Sequence, residues 1–227
     1  YGPTYYTPKI KMCGISKVET IPAIVDAKPD YMGLVFAPSK RQVTVEQAKT
    51  LVEELHKVYV KKYGSDTEQD KDDTIKTVGV FVNETVDNLV TIANEANLDA
   101  VQLHGDEDET FIQSLKERTN VEVWKAVQIR SAADVEEWID SSADMILFDA
   151  YHKDERGGTG EVFDWSSLDE FERPFMLAGG IDSTNVARAI RTVRPYGIDN
   201  SSGIETNGVK DDEKITAFTK IVKSIGR

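Results

Sequence analysis

Along this chain, short apolar-rich runs alternate with longer segments in which apolar residues recur at intervals of three and four, the pattern of strands followed by amphipathic helices. Lys9–Cys13 is the first run, ending at Gly14, and Lys17–Ala27 then carries Val18, Ile21, Ile24 and Val25 at helical spacing. Tyr31–Phe36 is nearly continuous apolar, as a strand covered on both faces should be, and it breaks at Ala37-Pro38-Ser39. Thr44 and Gln47 fit a capping box ahead of a helical face of Val45, Ala48, Leu51, Val52 and Leu55 that ends near Tyr59. Residues 61–73 are polar and aperiodic and read as an exposed, mobile connection.

The alternation continues to the C-terminus. Thr77–Val82 precedes a helix faced by Leu89, Val90, Ile92, Ala93 and Ala96. Ala100–Leu103 turns at His104-Gly105 into a segment whose four acids, Asp106 to Glu109, suit the positive end of a helix dipole. Val121–Ile129, Met145–Phe148, Phe175–Ala178 and Tyr196–Ile198 complete the strands, with helical spacing over Ser131–Ile139, Val186–Val193 and Ile215–Val222, and only a short segment, Trp165–Phe171, after the sixth. Eight near-equal units without a domain break predict an α/β fold, a single (β/α)8 TIM barrel over residues 9–227 with residues 1–8 as an arm. A doubly wound sheet also alternates strand and helix, but closure removes the sheet edges.

A formal charge of -13 and a pI near 4.7 leave no basic face for nucleic acid or an anionic membrane surface. No run is long enough to span a bilayer and no leader-like segment precedes the first strand, so the expectation is a soluble cytoplasmic protein. The single cysteine, Cys13, rules out an intramolecular disulfide, and three scattered histidines have no metal-ligand spacing. Neither a metal nor a redox cofactor is expected.

Barrel catalysis is located at the C-terminal ends of the strands, which gathers Cys13, Arg41, Asn83, His104, Gln128, Asp149, Gly179, Gly180, Asp199 and Ser201 around one mouth. Asp149 ends an apolar strand, where a carboxyl suits proton transfer and, equally, an N-cap or a solvated loop. Cys13 reads either as a small buried hydrophobe or as a thiolate base or nucleophile. Arg41 is a solvated loop cation or a two-pronged carboxylate clamp, and His104 a structural residue or one that orients its neighbour. The turns Leu177-Ala178-Gly179-Gly180-Ile181-Asp182 and Asn200-Ser201-Ser202-Gly203-Ile204 stand at the seventh and eighth strand ends, the usual phosphate position of this fold. Asp199, next to them, repels a phosphate unless it turns toward other groups such as sugar hydroxyls.

These residues spell a recognisable series: Lys11-Met12-Cys13-Gly14, Phe36-Ala37-Pro38-Ser39-Lys40-Arg41, Val80-Phe81-Val82-Asn83, Val101-Gln102-Leu103-His104-Gly105-Asp106-Glu107, Phe148-Asp149-Ala150, Gly157-Gly158-Thr159-Gly160, Phe163-Asp164-Trp165, Leu177-Ala178-Gly179-Gly180, and Asp199 through Asp211. In order and spacing, from about Lys9 onward, the chain resembles the phosphoribosylanthranilate isomerases of tryptophan synthesis. Met12 in place of the usual isoleucine and the long connection at 61–73 are the departures.

The resemblance implies an Amadori rearrangement of a phosphosugar–anthranilate substrate, with Cys13 as general base, Asp149 as general acid and no metal, flavin or nicotinamide. It implies that Arg41 takes the anthranilate carboxylate and that the backbones of Gly180, Ser202 and Gly203 hold the phosphate, with Gly179, Ser201, His104 and Asp199 among the binding residues. The chemistry asks for a raised pKa at Asp149 and a lowered one at Cys13. An aminoaldose-phosphate isomerase of histidine synthesis needs an acid where Cys13 stands, and a catalytically silent barrel is the rival from outside enzymology. Helical faces leave monomer or homodimer open.

Overall fold

The computed structural model describes residues 6–64, 74–150 and 165–225. Eight parallel strands close into a barrel in sequence order: β1 (Lys9–Cys13), β2 (Tyr31–Val35), β3 (Lys76–Phe81), β4 (Ala100–Leu103), β5 (Glu122–Gln128), β6 (Met145–Asp149), β7 (Phe175–Ala178) and β8 (Gly197–Asn200). Closure is direct, with β1 paired to β2 on one side and to β8 on the other, where Lys11 faces Asp199 across the seam.

The helices are α1 (Ile21–Ala27), α2 (Val45–Tyr63), α3 (Val86–Glu95), α4 (Glu109–Arg118), α5 (Ala132–Glu136), α6 (Val186–Val193) and α7 (Asp212–Ile225). The predicted capping box exists: Gln47 N–H donates to Thr44 Oγ1 at 3.1 Å and Thr44 N–H to Gln47 Oε1 at 2.8 Å. α2 nevertheless runs one turn past Tyr59, because Tyr63 is held by a hydrogen bond from its hydroxyl to Val25 O and by the Tyr59 ring 4.8 Å away. The rest of the connection expected to be mobile, residues 65–73, lies outside the described residues. The unit after β6 departs from the repeat: its described part, Trp165–Leu168, is a short 3-10 turn rather than an α-helix. Among the described residues no helix is long and apolar enough to cross a membrane.

Two cores follow from strand alternation. Ile10, Met12, Leu103, Phe148 and Leu177 pack outward under the helices, whereas Tyr31, Val78, Ala100, Trp124, Leu147 and Met176 fill the barrel. Tyr31 meets Trp124 edge-on at 4.9 Å there. This filling plugs the lower barrel, so polar residues of the same inward set are admitted only toward the strand ends.

Candidate active site

On β1 the alternation that sends Ile10 and Met12 outward turns Lys11 and Cys13 inward. Cys13 is 8% exposed and Lys11 is fully buried, its Nζ 2.9 Å from Asp199 Oδ2. Gly14 follows with φ +83, and a Cβ placed on it would lie 2.4 Å from Arg41 Cδ. A side chain there is excluded twice, by backbone and by space, and the Arg41 stem therefore crosses the turn directly after Cys13.

Arg41 is not a solvated loop cation. Its Nε and Nη2 each donate to one oxygen of Glu205 at 2.7 Å. Lys210 Nζ donates to the same carboxylate at 2.6 Å and to Ser201 O at 2.9 Å. Glu205 and Lys210 are cross-strand partners in a small antiparallel hairpin after β8, β9 (Glu205–Thr206) with β10 (Val209–Lys210). Burial works against the Glu205 charge, but hydrogen bonds from Arg41 and Lys210 outweigh it and hold the carboxyl down at about 2. Burial pushes the Lys210 ammonium down. The hydrogen bond to Glu205 holds Arg41 above its ordinary value.

Around Cys13 burial prevails: it pushes the thiol up, with Asp199 adding to the effect, while Lys11 and Lys210 pull it back only in part. Burial thus opposes the lowered thiol that proton abstraction asks for. Burial also acts to lower Lys11, but Asp199 and Cys13 beside it reverse the sign and raise it. Lys11 and Asp199 form a buried ion pair at 2.9 Å inside the barrel.

Across the mouth, Asp149 ends β6 with His104 Nε2 3.5 Å from its Oδ2. His104 Nδ1 lies 2.9 Å from Gln102 Nε2, and Gln102 is 1% exposed, rigid on β4 and inward. An amide N–H donated to Nδ1 calls for the ring proton on Nε2, the nitrogen on the Asp149 side. His104 thus stands between Gln102 and Asp149.

The two glycine turns come together as one wall. Gly179 and Gly180 have φ of +100 and +68. A Cβ on Gly203 would stand 2.3 Å from Ile181 O and 2.9 Å from Asp182 Cβ, so the eighth turn rests on the seventh. Ser202–Ile204 is a 3-10 turn whose leading N–H groups join that wall. Asp199 points into the barrel at Lys11, and its Oδ1 has no hydrogen-bond partner among the described residues.

Two readings of the chain gain partners here. Asn83, expected on the mouth, adopts φ 54 and stitches two loops together, its N–H donating to Glu107 Oε2 at 2.8 Å and its Oδ1 accepting from Asp106 N at 2.7 Å. Of the four acids ahead of α4, Asp108 caps the helix, while Glu107 is buried against Lys125 at 3.1 Å and Glu109 binds Ser141 and Ser142. The Gly157-Gly158-Thr159-Gly160 motif lies outside the described residues. Sequence reasoning also passed over Lys11, Gln102, Glu205 and Lys210. The first two are legible from the period of two that places them on the same face as Cys13 and His104. The hairpin was signalled by Asn207-Gly208, the dipeptide of tight hairpin turns, here with φ of 54 and 79.

The profile of a family described as N-(5'-phosphoribosyl)anthranilate (PRA) isomerase matches residues 10–221. N-(5'-phosphoribosyl)anthranilate isomerase of Endomicrobium trichonymphae is 44% identical over 222 residues, covering 96% of this chain and 100% of the relative. The enzyme of that name from Thermoanaerobacter sp. (strain X514) is 44% identical over 219 residues, with 96% and 98% covered. Among solved structures, phosphoribosyl anthranilate isomerase from Thermotoga maritima superposes with TM-score 0.79 at 33% identity, covering 96% of this chain and 99% of that one. A phosphoribosyl anthranilate isomerase in complex with reduced 1-(o-carboxyphenylamino)-1-deoxyribulose 5-phosphate gives TM-score 0.76 at 32% identity, with 96% and 99% covered.

Proposed function

The chain belongs to the N-(5'-phosphoribosyl)anthranilate isomerase family, and on that premise we infer that Cys13 and Asp149 are the base and the acid with which it performs the family's reaction. That reaction is the Amadori rearrangement of N-(5'-phosphoribosyl)anthranilate to 1-(2-carboxyphenylamino)-1-deoxyribulose 5-phosphate, the third step from chorismate to tryptophan. The observation that supports the assignment is the arrangement of the mouth: Cys13 beside Lys11 and Lys210 at the β1 end, Asp149 against His104 at the β6 end, and the paired glycine turns after β7 and β8.

Protonated Asp149 donates to the furanose ring oxygen. The bond from that oxygen to C1′ breaks, and the nitrogen lone pair closes a C1′–nitrogen double bond, leaving a cationic iminium. His104 Nε2–H, already directed at Oδ2, binds the aspartate more tightly as its proton departs. Cys13 as thiolate then takes the C2′ proton; the released electron pair forms the C1′–C2′ double bond and neutralises the nitrogen. The enolamine tautomerises to the ketone, with no external oxidant or reductant. Because burial raises the thiol, the proton must leave it under the influence of nearby positive groups: Lys11 and Lys210 both pull the thiol down, and the iminium adds to them when it forms.

Gly179, Gly180, Ser201, Ser202 and Gly203 form the phosphate site, held by backbone N–H groups. Arg41 receives the anthranilate carboxylate. Asp199 acts through Lys11, and its buried Oδ1 is available to a sugar hydroxyl. The reading takes residues 9–227 as one catalytic unit with residues 1–8 as an arm, Tyr6 being tied by its hydroxyl to Pro195 O. A charged phosphosugar does not diffuse across membranes, which supports a cytoplasmic site of action.

The test uses freshly made substrate, whose fluorescence decays as it is consumed. Cys13→Ser and Asp149→Asn should each lower kcat by about a hundredfold or more, the scale of general acid–base catalysis. Both should still bind the reduced product. Turnover within a few-fold of the parent in either variant removes that residue from the mechanism, and no decay with the parent protein marks a silent barrel.

A further inference from the structure

Arg41 has two edges with which to grip a carboxylate, the side edge of Nε and Nη2 and the end of Nη1 and Nη2. Glu205 occupies the side edge completely, oxygen for nitrogen. What remains is the end, with both Nη1 hydrogens and one on Nη2. The guanidinium is fixed further by its stem, which lies across Gly14.

Charge follows the same geometry. Glu205 by itself would repel a second carboxylate brought to Arg41, but Lys210 contacts it at 2.6 Å. Two cations and one anion leave one net positive charge, matched to one incoming carboxylate. Lys210 is in turn pinned by Ser201 O, in the turn assigned to phosphate.

We propose that Glu205 is a positioning residue that sets substrate specificity: by occupying the side edge of Arg41 it aims the end of the guanidinium at the ring carboxylate, and with Lys210 it sets the local charge to accept one such group. The proposal rests on the assignment of the anthranilate carboxylate to Arg41. A lysine at position 41 would not replace the arginine, since a single ammonium does not serve Glu205 and a substrate carboxylate at two fixed edges.

The test compares two probes, reduced 1-(2-carboxyphenylamino)-1-deoxyribulose 5-phosphate and its counterpart lacking the ring carboxylate, by titration calorimetry. The parent protein should prefer the carboxylate by about tenfold or more, the worth of a charge-assisted pair. Arg41→Gln should abolish that preference, and a preference unchanged in this variant overturns the Arg41 assignment and the proposal with it. Glu205→Gln should reduce the preference to about threefold or less, and because the preference is a ratio of two affinities, any shift passed through Lys210 to the phosphate turn acts on both probes and cancels. A full preference in Glu205→Gln alongside its loss in Arg41→Gln overturns the proposal alone. If Glu205→Gln does not fold, Glu205→Asp decides: it keeps the charge but cannot reach both nitrogens, so an intermediate preference supports the proposal and an undiminished one refutes it.

Discussion

At the scale of single residues, the mouth is built from side chains whose meaning depends on a neighbour. His104 is an ambiguous residue until Gln102 is placed 2.9 Å from its Nδ1. An amide donor there calls for the ring proton on Nε2, 3.5 Å from Asp149 Oδ2. Replacing Gln102 by Leu leaves a similar volume but releases the ring. We expect kcat to fall by roughly tenfold, the worth of one such hydrogen bond, with KM little changed. The histidine tautomer, read by nitrogen NMR, should lose its preference for the Nε2-protonated form. An unchanged tautomer in Gln102→Leu would show that Gln102 does not set it. Cys13 keeps both of its readings, since it is buried as a small hydrophobe is and burial raises its thiol, while Lys11 and Lys210 beside it pull the thiol back.

At the scale of elements, turns do the work that helices and strands make possible. The eighth turn packs on the seventh only because position 203 has no side chain; a Cβ would lie 2.3 Å from a backbone oxygen, which has nowhere to retreat. Gly203→Ala should therefore cost about 1–3 kcal/mol in thermal or denaturant unfolding, as overpacking does. It should also weaken inorganic phosphate as a competitive inhibitor, with both effects traced to one shift of the wall. A variant that folds normally and keeps its phosphate inhibition would separate the two turns. The hairpin β9–β10 is the element that sequence periodicity does not detect: two residues per strand are too few to show alternation. It is also the element that carries Glu205 and Lys210 to Arg41. The helix cap at Thr44, by contrast, was legible because a capping box is written within four consecutive residues and needs no distant partner. The contacts of Asn83 were not legible for the converse reason, since its partners Asp106 and Glu107 belong to the next loop.

At the scale of the whole molecule, closure joins the first strand to the last, and an ion pair lies on the joint. Lys11 and Asp199 are direct register partners across β1 and β8, both buried, with 2.9 Å between charges. Removing one partner strands the other inside the barrel. Lys11→Met should lower unfolding free energy by about 3–5 kcal/mol, and adding Asp199→Asn should recover part of that loss. Urea unfolding of the single and double variants measures both, and additive losses would show that the two residues are not coupled. The pair stands directly beneath Cys13, so the contact that closes the fold also sets the field at the thiol.

What the sequence determined by itself is whatever local order can encode: the strand–helix alternation, its count of eight, the capping box and the glycines that mark strand ends. These follow from periodicities of 2 and 3.6 and from backbone preferences that act within a few residues. Order in the chain also sufficed to bring Cys13, His104, Asp149 and the two turns to one rim, because a closed parallel barrel puts every strand end on the same face. Only the tertiary structure decided what those residues meet there. Lys11 with Asp199, Arg41 with Glu205 and Gln102 with the His104–Asp149 pair are contacts that exist by virtue of closure and of the short hairpin from Glu205 to Lys210. The reason is physical: hydrogen bonds and ion pairs act over a few ångströms, and sequence separations of 188 and 164 residues between partners carry no trace of them until the chain has folded.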